Sequence, residues 1–344
     1  MEIRPLRGYR YTGDTTRDIS TVVAPPYDQI SPETQDRLYA LNLHNIVRVT
    51  YPKDAPGKYG QAREVLDAWL AEGVWRRDER PAIYPYDQSY TDAGQLVTRT
   101  GFVALGEVSD YRRRVVLPHE RTHAGPKRDR MDLLEATAAD IGLLFMLASD
   151  PDGELRRATA PAGEPIAEAR DLKGERHRLW RVTDATAIAR VQALMAPRQV
   201  IIADGHHRYE TAVAYAGHHS EATHKLMAFF ALEAPGLNRI KWPERTSRAW
   251  RGLAVSILHE GLLRPLLGIT DAKLDAKTHV DYTADRAEAV RLAREGKCQA
   301  AFLIAPTTPA ELQAIVRGGE LLPQKSTHFY PKLLDGLVFH RLGE

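Results

Sequence analysis

Cysteine is almost missing from this sequence, and its shortage excludes two kinds of stabilisation. Of 344 residues only Cys298 is a cysteine. A single thiol cannot form a disulfide within the chain, and it cannot supply the ligands of a cysteine-based zinc site. This composition is typical of a protein that works in the reducing cytoplasm.

The sequence also lacks long apolar runs, and its net charge is only +2. No run approaches the ~20 apolar residues that a membrane span needs, and the first residues lack the apolar segment of a signal peptide. Lysine and arginine number 47, and aspartate and glutamate number 45. This balance argues against a protein that binds nucleic acid through bulk charge. We expect a cytoplasmic protein without a membrane partner and without a nucleic-acid partner.

The common nucleotide and hydrolase signatures do not occur. The sequence has no Walker loop, no Gly-x-Gly-x-x-Gly, no Gly-x-Ser-x-Gly and no protein-kinase signature. A standard nucleotide-binding fold is therefore not indicated.

The pattern of apolar residues predicts a mixed architecture. Strand and helix patterns intermix without strict alternation, which predicts an α+β fold with a mixed sheet and flanking helices. Segments 81–86 and 98–108 predict a hairpin, and segments 45–51 and 300–305 predict further strands. We expect an N-terminal α+β region over 1–235 and a smaller C-terminal α/β region over 236–344, packed against it.

The most informative segment covers residues 199–213. An apolar run ends in Asp-Gly-His-His-Arg at 204–208, and an alanine-rich stretch follows. This order is typical of a buried strand, a tight turn and the start of a helix. Glycine lets a ligand approach the backbone, and N–H groups at a helix start favour an anion. The arginine can clamp a phosphate, and the histidines can donate or shuttle protons.

A second polar segment contains His119-Glu-Arg-Thr-His123, the spacing of a zinc-binding helix. Pro118 precedes it directly, and Gly125-Pro126 would end a helix within one turn. We therefore favour a polar loop here. A metal-dependent hydrolase that uses His119 and His123 stays open as an alternative.

Three groups of polar side chains suit a phosphorylated ligand. The second polar segment offers Glu120 as a base or metal ligand, and Lys127 and Arg130 as phosphate ligands. Two prolines make a rigid turn that can hold Tyr27 and Asp28 against a substrate. Near the C-terminus the candidate phosphate ligands are Lys325, Ser326, Thr327 and Lys332.

Five segments in this order resemble the domain-of-unknown-function family numbered 1015. They are Val23–Asp28, Asn45–Arg48, Pro118–Thr122 with Gly125–Arg130, Ala203–Ala212, and Lys325–Thr327 with Phe329–Lys332. Within the fourth segment, Asp-Gly-His-His-Arg resembles the phosphate-binding corner of the ParB/sulfiredoxin superfamily, which includes ADP-dependent free serine kinases. This local resemblance implies a strand–turn–helix phosphate corner, ATP or ADP with Mg²⁺ as cofactors, and a substrate such as serine or phosphoserine.

The residues and the resemblances together predict phosphoryl transfer to or from a small hydroxyl compound. The expected phosphate cradle consists of Gly205, His206, His207 and Arg208. Glu120 or Asp204 is expected to take the hydroxyl proton or to hold Mg²⁺, while Lys127 and Lys325 offset charge. A non-catalytic nucleotide-binding switch of the ParB type is a further alternative.

Overall fold

The computed structural model describes most of the chain. The described residues are 1–13, 18–92, 95–120, 124–233, 253–264, 267–270, 273–274, 279–283, 285–305, 307–322, 327 and 329–343. The chain divides into two compact units. Unit 1 consists of Met1–Leu117, Thr122–Gly236 and Pro331–Glu344, and unit 2 consists of Pro118–Arg121 and Leu237–Tyr330. The last stretch of unit 1 therefore follows unit 2 in the sequence.

Within the described residues, all strands belong to unit 1. They are β1 (Ile3–Arg4), β2 (Tyr9–Tyr11), β3 (Trp75–Arg77), β4 (Tyr84–Asp92), β5 (Gln95–Glu107), β6 (Val116–Leu117), β7 (Ala139–Asp140), β8 (Leu144–Ala148), β9 (Ala167–Arg170), β10 (Arg176–Leu179), β11 (Val200–Asp204), β12 (His224–Ala231) and β13 (His340–Arg341). One sheet has the order β6-β11-β8-β12-β5-β4-β10-β9, with β1 paired to β5. The pairs β6–β11 and β8–β12 are parallel, and the other neighbours are antiparallel. The predicted mixed sheet is confirmed.

The predicted hairpin is formed by β4 and β5. The two strands pair antiparallel, with Asp92 opposite Gln95 at the turn. The second half of β5 pairs with β12, where Phe102 stacks on Phe229 at a centroid distance of 5.2 Å. Both rings are buried, so this pair lies in the core around the large sheet.

Helices flank the sheet of unit 1 and make up the regular structure described in unit 2. They are α1 (Pro32–Leu41), α2 (Val47–Thr50), α3 (Lys58–Ala71), α4 (Ala124–Thr137), α5 (Glu154–Ala158), α6 (Ala185–Met195), α7 (His206–Ala216), α8 (Ala254–Ile257), α9 (Arg286–Arg294) and α10 (Pro309–Arg317). Side chains cap several of them: Ser31, Asp184 and Thr308 each accept a backbone N–H of the first turn. Among the described residues, no helix has both the length and the apolar character that crossing a bilayer requires.

A second core cluster ties the last stretch of the chain into unit 1. The Phe339 ring stacks on Tyr9 of β2 at 5.0 Å and meets Trp75 of β3 edge-on at 4.6 Å. Phe339 is fully buried in this cluster. Burial of such a side chain contributes about 1.5–3 kcal/mol. The same stretch carries residues of the candidate site.

The predicted strand at 45–51 is wrong, because the segment forms the short helix α2. Asn45 is fully buried, and its side-chain oxygen accepts the N–H of Val47 at 3.0 Å. Its amide group donates to the carbonyls of Thr21 and Val23 at 2.8 and 3.0 Å. The Asn45 side chain thereby fixes the turn that leads into α2. The apolar side chains of Ile46, Val47 and Val49 pack in the core.

Two further local predictions also fail. Residues 300–305 form no strand, and Phe302, Leu303 and Ile304 are exposed by 45, 50 and 41%. A strand needs a hydrogen-bonded neighbour, and the described part of unit 2 provides none. Gly125-Pro126 lies in the first turn of α4 and does not end a helix. Proline is tolerated there because the first-turn N–H groups have no intrahelical acceptor.

Candidate functional site

The predicted strand–turn–helix corner is present at 200–216. β11 ends at Asp204, Gly205 has a φ of +99°, and α7 begins at His206. A Cβ on residue 205 would lie 2.7 Å from Cδ2 of Leu144. Both the left-handed backbone and the missing space therefore require glycine at this turn.

Asp204 is the centre of a charged network at this corner. Its Oδ2 accepts from Nη2 of Arg208 at 3.0 Å, and its Oδ1 accepts from Nζ of Lys332 at 2.5 Å. The second terminal nitrogen of Arg208 donates to the carbonyl of Leu143 at 2.7 Å. Two of the five N–H donors of Arg208 are thus used to fix its orientation.

This network decides the ionisation of Asp204. Burial alone would raise the pKa of its carboxyl, but the charges of Lys332 and then Arg208 lower that pKa to about 2. Asp204 is therefore ionised at neutral pH and is a weak base. The expectation that Asp204 takes a proton from a hydroxyl group is not favoured by this environment, which suits an anchor for the two cations.

A cavity of about 60 Å³ opens beside Arg208, within unit 1. Its lining residues are Tyr27, Thr50, Arg130, Leu133, Leu134, Ala139, Ile141, Gly142, Arg208, Thr211, Lys225 and Asp335. Three residues from separate motifs of the sequence, Tyr27, Arg130 and Arg208, thus meet at one place. The cavity is the candidate functional site.

Asp335 is the carboxylate of this cavity that has no partner for one of its oxygens. Its side chain is buried, and within the described residues Oδ1 has no hydrogen-bond partner. Burial raises the pKa of Asp335 to about 7, although Arg208 and Arg130 oppose the rise. A carboxyl with such a pKa can both donate and accept a proton near neutral pH.

Gly142 creates the space between this carboxylate and Arg208. A Cβ on residue 142 would lie 3.0 Å from Nη1 of Arg208 and 3.5 Å from Oδ1 of Asp335. Any side chain at this position would therefore enter the cavity. The glycine leaves room for a ligand that touches both groups.

The cations that line the cavity each have an aspartate of their own. Arg130 binds Asp129 through Nε at 2.9 Å and through Nη2, and Lys225 binds Asp140. Arg208 pairs with Asp204 as described. Asp335 is the additional carboxylate, so its protonation state sets the net charge of the cavity.

Tyr27 lines the cavity, and Asp28 follows it in the chain. The guanidinium of Arg130 stacks over the Tyr27 ring at 4.1 Å, and Nη1 of Arg130 donates to the carbonyl of Thr50 at 2.8 Å. Burial raises the pKa of Tyr27, while Arg208 and Arg130 oppose the rise. Asp28 is exposed, and its charge raises the pKa values of Tyr27 and Asp335.

The other predicted residues occupy different places. His206 is buried at the start of α7, and His207 is half-buried next to it. Lys127 of α4 donates to Glu210 of α7 at 2.9 Å. Glu120 and Thr327 belong to unit 2, where Thr327 bonds to Nε2 of His119 at 2.8 Å. His123, Lys325 and Ser326 lie outside the described residues.

Two residues of the site, Asp335 of the C-terminal stretch and Lys225 of β12, were not predicted as site residues. Lys332 was predicted as a phosphate ligand, and its amine donates to Asp204. A signal for Asp335 exists in the sequence: Leu-Leu-Asp-Gly at 333–336 repeats the apolar–Asp–Gly order found at 202–205. Gly336 also has a φ of +99°. Lys225 carries no such signal, because it stands inside an apolar strand pattern.

Comparison with known proteins gives a family and no activity. The family model described as "Protein of unknown function (DUF1015)" matches residues 3–240. No curated protein and no solved structure matches the chain significantly. Lys332 and Asp335 lie beyond the matched residues. Among the described residues, no group of three histidine, cysteine, aspartate or glutamate side chains is placed to hold a metal ion.

Proposed function

We propose that the cavity at Arg208 binds a phosphate group and transfers it, in a chain that belongs to the DUF1015 family of proteins of unknown function. The acceptor or donor is a small hydroxyl compound such as serine or phosphoserine, and the nucleotide is ATP or ADP. One observation carries the proposal. Arg208, Arg130 and Lys225 line one cavity together with Asp335, whose Oδ1 has no partner among the described residues.

The size of the cavity supports a single phosphate group as the occupant. A buried water needs at least ~10–15 Å³ of such space, so about 60 Å³ accommodates roughly four water-sized groups. A phosphoryl group has this size, whereas a nucleoside is much larger. In this proposal the nucleoside lies outside the cavity and only the transferred group enters it.

The charges of the cavity favour a phosphate group that binds while Asp335 carries a proton. Arg130, Lys225 and Arg208 are already balanced by their own aspartates. With Asp335 ionised, a phosphate would face a negative oxygen across the cavity. With Asp335 protonated, the O–H group can donate to the phosphate, and Arg208 still has N–H donors left for it.

The same carboxyl group suits the proton transfer of the reaction. In the forward direction the ionised form of Asp335, which coexists with the protonated form near neutral pH, takes the proton of the substrate hydroxyl, the hydroxyl oxygen forms a bond to phosphorus, and the bond from phosphorus to the leaving nucleotide oxygen breaks. In the reverse direction the protonated Asp335 gives the proton back to the departing hydroxyl oxygen. The two guanidinium groups stabilise the charge on the phosphoryl oxygens.

The corner at 204–208 supplies the rigid frame in this proposal. Gly205 lets α7 begin directly after β11, so His206 and His207 stand at the positive end of this helix. Mg²⁺ with a nucleotide needs only one or two protein carboxylates, and the exposed Asp28 fits that requirement. When bound, the ion would withdraw charge from phosphate oxygens.

The first test is phosphate binding by wild type and by Gly142→Ala, measured by isothermal titration calorimetry with inorganic phosphate and with phosphoserine. The added methyl group should occupy the ligand space and weaken binding at least tenfold. Gly60→Ala is the matched control, because a Cβ there meets nothing within 4 Å. Equal phosphate affinity in wild type and Gly142→Ala would refute the location of the site.

The second test is turnover, followed as consumption of ATP or ADP with a panel of small alcohols that includes serine. Asp335→Asn should retain phosphate binding and lose turnover by about 10²–10⁴-fold, which is the usual contribution of a positioned acid or base. Nucleotide binding without turnover in the wild type would favour the non-catalytic switch. Unchanged turnover in Asp335→Asn would exclude Asp335 as the base.

A further inference from the structure

Unit 1 contains a second and larger pocket, lined by different residues. Its volume is about 320 Å³, which is within the range of small-molecule sites. Its lining residues are Arg77, Asp78, Glu79, Arg80, Arg181 and Thr183. None of them lines the cavity at Arg208.

A single buried carboxylate organises this pocket. Asp78 follows β3, and its two oxygens accept from Arg10 at 2.6 and 3.1 Å, from Arg181 at 2.7 Å and from the Tyr84 hydroxyl at 2.6 Å. The carbonyl of Asp78 accepts from Arg7 at 2.9 Å. Arginines from two distant parts of the chain are therefore held in fixed positions at one place.

The positive charge exceeds what this carboxylate can neutralise. Asp78 carries one negative charge, and it is shared by Arg10 and Arg181. Arg80 is exposed and forms no ion pair within the described residues. Glu79 is the other acidic residue of the lining. Arg77, whose guanidinium lies 5.8 Å from the centre of the Tyr9 ring, adds a further cation.

A charged network whose only role is to stabilise the fold would not need more arginines than its carboxylate can bind. The Asp78 carboxylate is already saturated by four hydrogen bonds, so additional arginines at the pocket gain nothing from it. Arg181 keeps 38% of its side chain exposed while one terminal nitrogen is fixed. An anchored guanidinium with donors left over is suited to bind carboxylate or phosphate in a bidentate manner.

We infer that this pocket, which we call the arginine pocket, binds a small organic polyanion with two or more phosphate or carboxylate groups. The cations that line the pocket are all arginines, whose guanidinium groups bind two oxygens of a carboxylate or phosphate at once, which favours such groups over simple counter-ions. The volume accommodates a di- or triphosphate-sized molecule. A pocket of about 320 Å³ favours a compact ligand over an extended polymer.

The test measures binding of inorganic tripolyphosphate and of citrate to the full chain by isothermal titration calorimetry. Arg80→Gln and Arg181→Lys should each weaken tripolyphosphate binding about tenfold, because each loses hydrogen bonds between charged groups. Arg4→Gln is the matched control: it removes the same charge from an exposed pair with Glu2. Its affinity should equal that of the wild type. Circular dichroism melts verify that all variants are folded.

Several results would overturn the inference. Absence of tripolyphosphate and citrate binding in the wild type would do so, as would equal affinities in Arg80→Gln and the wild type. A loss in Arg4→Gln as large as that in Arg80→Gln would show a general charge effect without a pocket. Tighter binding of a single-stranded oligonucleotide, with affinity that rises with its length, would replace the small ligand by nucleic acid.

Discussion

Replacement of Asp335 by asparagine should stabilise the protein, and the gain should depend on pH. The ordinary pKa of this carboxyl is 3.8, and burial raises it to about 7 in the folded state. Between these values the folded state holds a proton that the unfolded state has lost. Stability of the wild type therefore falls as pH rises through this window.

The size of the effect follows from the pKa difference. About three pKa units at 1.36 kcal/mol each give about 4 kcal/mol as an upper limit. Entry of water into the cavity would relax the buried charge and reduce this value. The asparagine side chain carries no charge, so the variant should escape the loss and exceed the wild type by a few kcal/mol above pH 7.

Urea unfolding of both proteins, at pH values from about 4 to about 8, measures the difference in free energy of unfolding. The advantage of Asp335→Asn should grow from about pH 4 to about pH 7 and then level off. Asp78→Asn is the matched control: burial would raise the pKa of this carboxyl, but hydrogen bonds from Arg10 and Tyr84 outweigh burial and lower the pKa, so Asp78 is ionised throughout this range. The difference between this variant and the wild type should therefore stay constant from pH 5 to 8. A constant difference for Asp335→Asn as well would refute the reasoning.

Three further variants test the frame of the site. Lys332→Met removes one counter-charge of the partly buried Asp204 and should lower the free energy of unfolding by about 1–3 kcal/mol. Gly205→Ala should cost about 1–3 kcal/mol, because its φ is +99° and its Cβ would approach Leu144. Arg99→Met should cost about 2–4 kcal/mol, because this fully buried arginine donates to the Gln88 side chain and to the carbonyl of residue 331. Urea unfolding at neutral pH measures all three.

Each of these variants has a matched control. Lys53→Met and Arg4→Met break exposed ion pairs and should change stability by less than about 0.5 kcal/mol. Gly60→Ala lies within α3 and should be neutral or stabilising by up to about 1 kcal/mol. If Arg99→Met lowered the free energy of unfolding no more than Arg4→Met, the bond from Arg99 to the Pro331 carbonyl would not hold the C-terminal stretch in place.

The parts of the fold that were predictable are those whose signals are local. The corner at 200–216 follows from an apolar run, an Asp-Gly turn and a helix-forming stretch that are adjacent in sequence. The hairpin β4–β5 follows from alternation on both sides of a turn. The segment 45–51 was mispredicted because Asn45 finds its partners at Thr21 and Val23, and no local pattern reports such contacts.

The candidate site was predictable only where the side chain of a single residue and its neighbours in sequence indicate a chemical role. Tyr27, Arg130 and Arg208 were chosen for their side chains and for rigid or glycine-containing surroundings, and they do line one cavity. Asp335 was missed because its raised pKa is a property of burial and of neighbours distant in sequence. The bond between Lys225 and Asp140, 85 residues apart, is equally invisible in the sequence pattern.

The late arrival of the last stretch of unit 1 has a consequence for synthesis on the ribosome. The bond between Asp204 and Lys332 joins residues 128 apart, and the bond between Arg99 and Pro331 joins residues 232 apart. At roughly 5–20 residues per second, translation of the intervening unit takes on the order of ten seconds. During this time Asp204 lacks Lys332, and Tyr9 and Trp75 lack the Phe339 ring that packs against them. A product truncated before residue 331 would keep these gaps permanently, and protein quality control could recognise it as incomplete.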